Sequence, residues 1–222
     1  MYNLSRRGWH FFVRTGDYWL AAILAAAGIY FFSGRFTTVR FDRERIEVEI
    51  SKARIHVRAF SHYTNSSALP AALTLQVPFP VDRDHPEPDW YCLRESAGDG
   101  RTLSNPGPIV RGGRVYFRLL FRPRESKWIQ LDYGQRAETP EGRYLLTTTR
   151  GWRHPIRQAD YVLRFAPDLE LGSSNYAVKP APWAGPGRAY TYSRIDFYPD
   201  QDWVFAWTEA SIQAISAPGV QP

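Results

Sequence analysis

Hydrophobic and polar positions obey two different rules along this chain. From Tyr18 to Gly34 there are 17 residues with no Asp, Glu, Lys, Arg or His side chain. From about Glu44 onward, apolar residues instead recur at every second position. The first pattern predicts one apolar helix and the second a series of half-buried strands.

A 17-residue helix rises roughly 25 Å, a little short of the ~30 Å hydrocarbon core of a bilayer. Tyr18 and Trp19 at one end, and Tyr30, Phe31 and Phe32 at the other, suit the headgroup level, and Arg35 can snorkel outward. A transmembrane helix over residues 18–35 is the expectation. A cleaved secretory signal is the main competitor, with Ala25-Ala26-Ala27 as cleavage-type residues after basic Arg6, Arg7 and Arg14; a buried soluble helix is the other. Cleavage there would leave an apolar region of only about nine residues.

Ala21, Ala25 and Gly28 fall at i, i+4 and i+7 and make one smooth helix face, while Leu20, Ile23, Leu24 and Phe31 occupy much of the rest. Small residues let helix backbones approach closely in lipid, so this face is expected to pack against another membrane helix. The plainer reading is that Ala is simply a good apolar helix former. Residues 1–17 mix Trp9, Phe11 and Phe12 with Arg6, Arg7, His10 and Arg14, as in a basic tail or short interfacial helix attracted to an anionic lipid surface. Arg6, Arg7 and Arg14 before the helix are balanced by Arg35, Arg40, Arg43 and Arg45 after it, so charge does not orient the chain. A short tail, one helix and a long domain nevertheless match a signal anchor. The expected location is a membrane, the bacterial inner membrane, with the amino terminus cytoplasmic and the β-domain periplasmic.

Within that domain, Ile46, Val48 and Ile50 alternate with Arg45, Glu47 and Glu49, and Ile55, Val57 and Ala59 alternate with Arg54, His56 and Arg58. Leu73 to Phe79, Val115 to Phe121 and Ile129 to Tyr133 continue the period of two. Later runs are Tyr144 to Thr149, Tyr161 to Phe165, Tyr190 to Phe197 and Trp203 to Trp207, for eight or nine strands in total. Gly112-Gly113 between Val110 and Val115 fits a tight hairpin. The fold class expected is therefore an N-terminal single transmembrane α-helix followed by a mainly-β domain, a β-sandwich roughly immunoglobulin-like. The sandwich should occupy residues 36–210, with a tail over 211–222.

Composition narrows the chemistry. The net charge is +6 and the pI about 9.5, but Arg6, Arg7, Arg14 and Asp17 account for +2, leaving +4 spread along residues 35–222. No nucleic-acid partner is expected. Cys92 is the lone cysteine, which excludes an intramolecular disulfide and a Cys-based metal site. There is no phosphate-binding glycine loop, no nucleophile elbow and no His-x-x-x-His pair. No cofactor and no catalytic residue is assigned, and an enzyme is not expected. The stretch from Asp82 to Asp89, with Asp84, His85 and Glu87, is the densest candidate cation loop, but Arg83 and two prolines interrupt it and it reads as a solvated connection.

Eight tryptophans are the remaining anomaly. Trp203 and Trp207 share parity with Phe205 and read as core. Trp152 and Trp183 sit in loop-like contexts, where an indole serves packing, a protein interface or a sugar ring. The leading expectation is a noncatalytic single-pass accessory subunit that docks laterally among integral membrane protein subunits, for example in a respiratory or photosynthetic complex. The alternative is a membrane-tethered extracytoplasmic module that binds envelope glycan or another ligand. A concave aromatic strip that includes Trp152 or Trp183 would separate the second from the first.

Overall fold

The computed structural model describes residues 38–96, 102–152 and 154–210. The apolar segment, its packing face of Ala21, Ala25 and Gly28, and both terminal tails lie outside the described residues. Among those described, no helix is long and apolar enough to cross a membrane.

The domain is mainly β. Its strands are β1 (Val39–Ser51), β2 (Arg54–Asn65), β3 (Ala71–Pro78), β4 (Trp90–Ser96), β5 (Thr102–Ser104), β6 (Ile109–Val110) and β7 (Arg114–Phe121). They continue with β8 (Ser126–Arg136), β9 (Glu141–Tyr144), β10 (Ile156–Phe165), β11 (Leu169–Ser174), β12 (Lys179–Ala181), β13 (Arg188–Phe197) and β14 (Trp203–Glu209). One sheet has eight strands in the order β12-β13-β10-β1-β2-β8-β4-β5. Two sheets of three strands, β11-β14-β9 and β3-β7-β6, complete the architecture.

Both small sheets cover the same face of the large one. Trp203 of β14 stacks on Tyr161 of β10 at 5.2 Å, and Phe79, just after β3, meets Tyr133 of β8 edge-on at 5.0 Å. The result is sandwich-like, but its connectivity differs from the immunoglobulin-like arrangement of two antiparallel sheets. The central pair β1–β10 is parallel, with Ile46 beside Tyr161 and Val48 beside Leu163. Strands buried at the centre of a sheet tolerate such a long-range parallel partner, which local periodicity cannot announce.

The alternating patterns do mark the core. Ile46, Val48, Ile55, Val57, Leu131, Tyr161 and Leu163 are all buried on the covered face, and Trp203 of β14 is buried against them. At the start of β1 the parity shifts: Val39 and Phe41 are buried, and so are Ile46, Val48 and Ile50. A register break between Phe41 and Arg43 absorbs the extra residue, so both sets face inward. Glu44, in phase with Ile46 and Val48 past the break, also points into the core. Val110 pairs with Val115 across Gly112 and Gly113, both at positive φ, which is the hairpin expected from the sequence.

Candidate functional site

The uncovered face of the large sheet carries its charges in registered rows. Along one row, Arg164 lies beside Glu49, Glu49 beside His56, His56 beside Gly134 and Gly134 beside Trp90. The next row holds Glu47, Arg58 and Asp132. Arg164 reaches Glu47 at 2.7 Å and Glu49 at 3.4 Å, while Arg58 lies between Glu47 at 3.8 Å and Asp132 at 3.5 Å. Arg45 also pairs with Glu47, Arg94 pairs with Asp132, and Gln130 donates to Asp132 at 3.0 Å. Burial works to raise the Glu47 pKa, but the hydrogen bond from Arg164 and the charges of Arg164, Arg45 and Arg58 bring it below its ordinary value. This lattice holds the side chains beneath the next feature in fixed positions.

Above the first row runs a groove of about 500 Å³. At one flank, the Trp90 indole lies over Gly134, which has no side chain to hold it off; a Cβ there would come within 2.3 Å of the indole Nε1. The same indole sits 5.2 Å from the His56 ring. At the other flank, Trp183 from the proline-rich loop covers the Arg164 guanidinium, 4.4 Å from the ring centroid. Trp90 is 43% exposed and Trp183 44%, so each keeps a large open surface. Three interstrand steps separate Arg164 from Gly134, roughly 14 Å at ~4.8 Å per step.

Between the indoles lie Glu49, His56 and Arg54. The Glu49 carboxylate is 3.8 Å from His56 Nδ1, and His56 Nε2 is buried with no hydrogen-bond partner among the described residues. Arg54 is held by Asp89 at 3.0 Å. The groove thus offers broad aromatic surface at its ends and polar groups along its floor. Such a surface can hold a flat, hydroxylated ligand: ring C–H groups stack on indole while hydroxyls take hydrogen bonds from the floor.

Trp152 and Trp183, singled out from the sequence, go to different places. Trp183 lines the groove. Trp152 closes the short 3-10 helix Thr147–Trp152 and packs on Phe41 and Tyr63 at 5.8 and 5.5 Å. In the acidic loop, His85 is buried between the Asp82 carboxylate at 2.8 Å and the Glu141 carbonyl at 3.0 Å. Asp89 is engaged by Arg54 and Arg136. These side chains pin the loop, and among the described residues no three His, Cys, Asp or Glu groups converge on a cation site.

Sequence reasoning missed Trp90, Glu49 and His56 as site residues. Glu49 and His56 were legible as the polar parity of β1 and β2. Their neighbourhood with Trp90 requires the β2–β8–β4 order, which no local pattern encodes.

A second polar feature lies on the covered face. Glu44 is 4% exposed and accepts a hydrogen bond from the Tyr161 hydroxyl at 2.9 Å. It borders a small pocket of about 70 Å³ together with Tyr63, Tyr133 and Tyr144. Burial pushes the carboxyl up to about 7, and the Tyr161 hydrogen bond opposes this only in part.

No family model matches the chain, and no curated protein matches it. Among solved structures, it is similar to a Legionella pneumophila protein described as a "putative nutrient binding protein", with a TM-score of 0.59 and 13% identity over 77% of this chain and 67% of that one. It is also similar to an M1 zinc metallopeptidase of Deinococcus radiodurans, with a TM-score of 0.44 and 11% identity over 76% of this chain. The chain spans 42% of that peptidase. The first likeness shows a shared fold and nothing about ligands; the second carries no argument.

Proposed function

We propose that the β-domain is a ligand-binding module whose groove between Trp90 and Trp183 takes a carbohydrate. The observation that carries this reading is the pair of half-exposed indoles, one seated over Gly134 and the other over Arg164, with a polar floor between them. The two sheet positions lie three strand steps, roughly 14 Å, apart, which leaves room for an extended saccharide. Glu49, His56 and Arg54 supply both acceptors and donors for hydroxyl groups. The module's amino-terminal apolar segment, Tyr18 to Gly34, serves as a signal anchor that tethers it outside the cytoplasmic membrane, which makes envelope glycan the ligand class within reach.

The test is titration of the purified full chain with defined oligosaccharides from bacterial cell-wall glycan, followed by tryptophan fluorescence and calorimetry. Binding that falls tenfold or more in both Trp90→Ala and Trp183→Ala supports the reading, as expected from the loss of ~1.4 kcal/mol or more of stacking. No binding by the parent protein, or binding that both variants retain, refutes it.

Lateral docking through Ala21, Ala25 and Gly28 is a separate proposal about the anchor. Native-detergent purification with mass spectrometry tests it: membrane subunits recovered in fixed ratio would make the module part of a complex, and a lone chain would remove that idea.

A further inference from the structure

The small sheet β3-β7-β6 turns one face to the core and the other to solvent. Val115, Phe117, Leu119 and Phe121 are buried, whereas the intervening Arg118 and Leu120 are exposed beside Thr74 and Ala72 of β3. Leu120 is 65% exposed, and Leu69 in the loop before β3 is 70% exposed. Arg118, Arg122 and Arg124 flank Leu120 in the sequence and are exposed as well. Among the described residues none of the three enters an ion pair, and the nearby carboxylates Glu95 and Glu125 both engage Lys127. In the central rows of the large sheet, by contrast, Arg58, Arg94 and Arg164 are each paired with carboxylates.

The corner that carries these groups is firmly built. The Asn65 side-chain amide donates to the carbonyls of Leu69 at 2.8 Å and Arg122 at 3.0 Å. The Asn65 backbone N–H donates to Glu125 and that of Arg124 to Ser67. Arg124 also donates a side-chain N–H to the Ser66 carbonyl, which leaves the rest of its guanidinium fork for another acceptor. Asn65 pairs with Val39, the first residue of β1, so the chain enters the domain at this corner. In sequence, the apolar run ends at Gly34, five residues earlier.

We propose that this corner docks on an anionic bilayer surface, with Leu69 and Leu120 entering the boundary between headgroups and acyl chains and Arg118, Arg122 and Arg124 contacting lipid phosphates. Isolated exposed leucines flanked by cations suit that boundary, where apolar burial and attraction to anionic lipid add. A nucleic acid would use the arginines but offers no apolar phase for the leucines.

The experiment uses the full chain carrying Cys92→Ser and Leu69→Cys, labelled with an environment-sensitive fluorophore and reconstituted in phosphatidylcholine vesicles with or without phosphatidylglycerol. The label at position 69 should brighten and shift to the blue in the anionic vesicles, while a label at the exposed Ile195 should not respond. Arg118→Gln and Arg122→Gln should each lower the docked-to-free ratio about fivefold. A label that remains water-like in both vesicles overturns the proposal. So does an equal response in both lipids, or a response to single-stranded DNA that anionic vesicles fail to produce. None of these readings depends on the groove, so this proposal and the carbohydrate reading fail separately.

Discussion

Glu44→Gln isolates the energetic effect of one buried proton. In the folded chain the Glu44 carboxyl titrates near 7 rather than at its ordinary 4.5, because burial penalises the carboxylate more than the Tyr161 hydrogen bond favours it. The native state therefore holds a proton that the unfolded chain releases. Its contribution is fully present below about 4.5, is lost as the pH rises toward about 7, and changes no further above that. A shift of about 2.5 units, at ~1.36 kcal/mol each, makes the loss about 3 kcal/mol. Glutamine keeps an oxygen to accept from Tyr161 and has no proton to lose. The variant should match the parent at the acid end of the window and exceed it by up to about 3 kcal/mol at the neutral end. Urea denaturation read by tryptophan fluorescence measures this as a midpoint difference that grows to about 1–1.5 M, for an m-value of ~2–3 kcal/mol/M. Parallel pH profiles for parent and variant would refute the reasoning, because the proton would then be unlinked from folding.

Glu47 predicts the opposite slope. Burial resists its ionisation, but Arg164, Arg45 and Arg58 together hold its pKa down, so its stabilising contribution is present above the ordinary Glu value and lost as the pH falls through the lowered one. Glu47→Gln should weaken folding at neutral pH and flatten the acid limb of the stability curve, a difference the same urea series will read. Gly134→Val tests the seat of Trp90: the new side chain displaces the indole, so carbohydrate binding should be lost at a stability cost of about 1–3 kcal/mol, as typical overpacking gives. Retained binding in a folded Gly134→Val protein would remove Trp90 from the site.

The strand content of this domain, its inward faces and the Gly112-Gly113 hairpin follow from residue order, because a period of two and two left-handed residues are local constraints that survive in any fold the strands can join. Trp203, Phe205 and Trp207 entered the core for the same reason. Tertiary structure decided what is non-local. The parallel union of β1 and β10 joins segments more than a hundred residues apart, and it alone puts Arg164 beside Glu47 and Glu49. The bulge at Asp42 brought Val39 and Phe41 onto the same inner face as Glu44 and Ile46, although their places in the sequence are of opposite parity. Trp152 and Trp183 had equivalent loop contexts, yet one filled a gap against Phe41 and Tyr63 and the other was left over Arg164 with solvent beyond it. An indole buries wherever apolar surface comes within reach, and that reach is set by strand order rather than by its own neighbours in sequence.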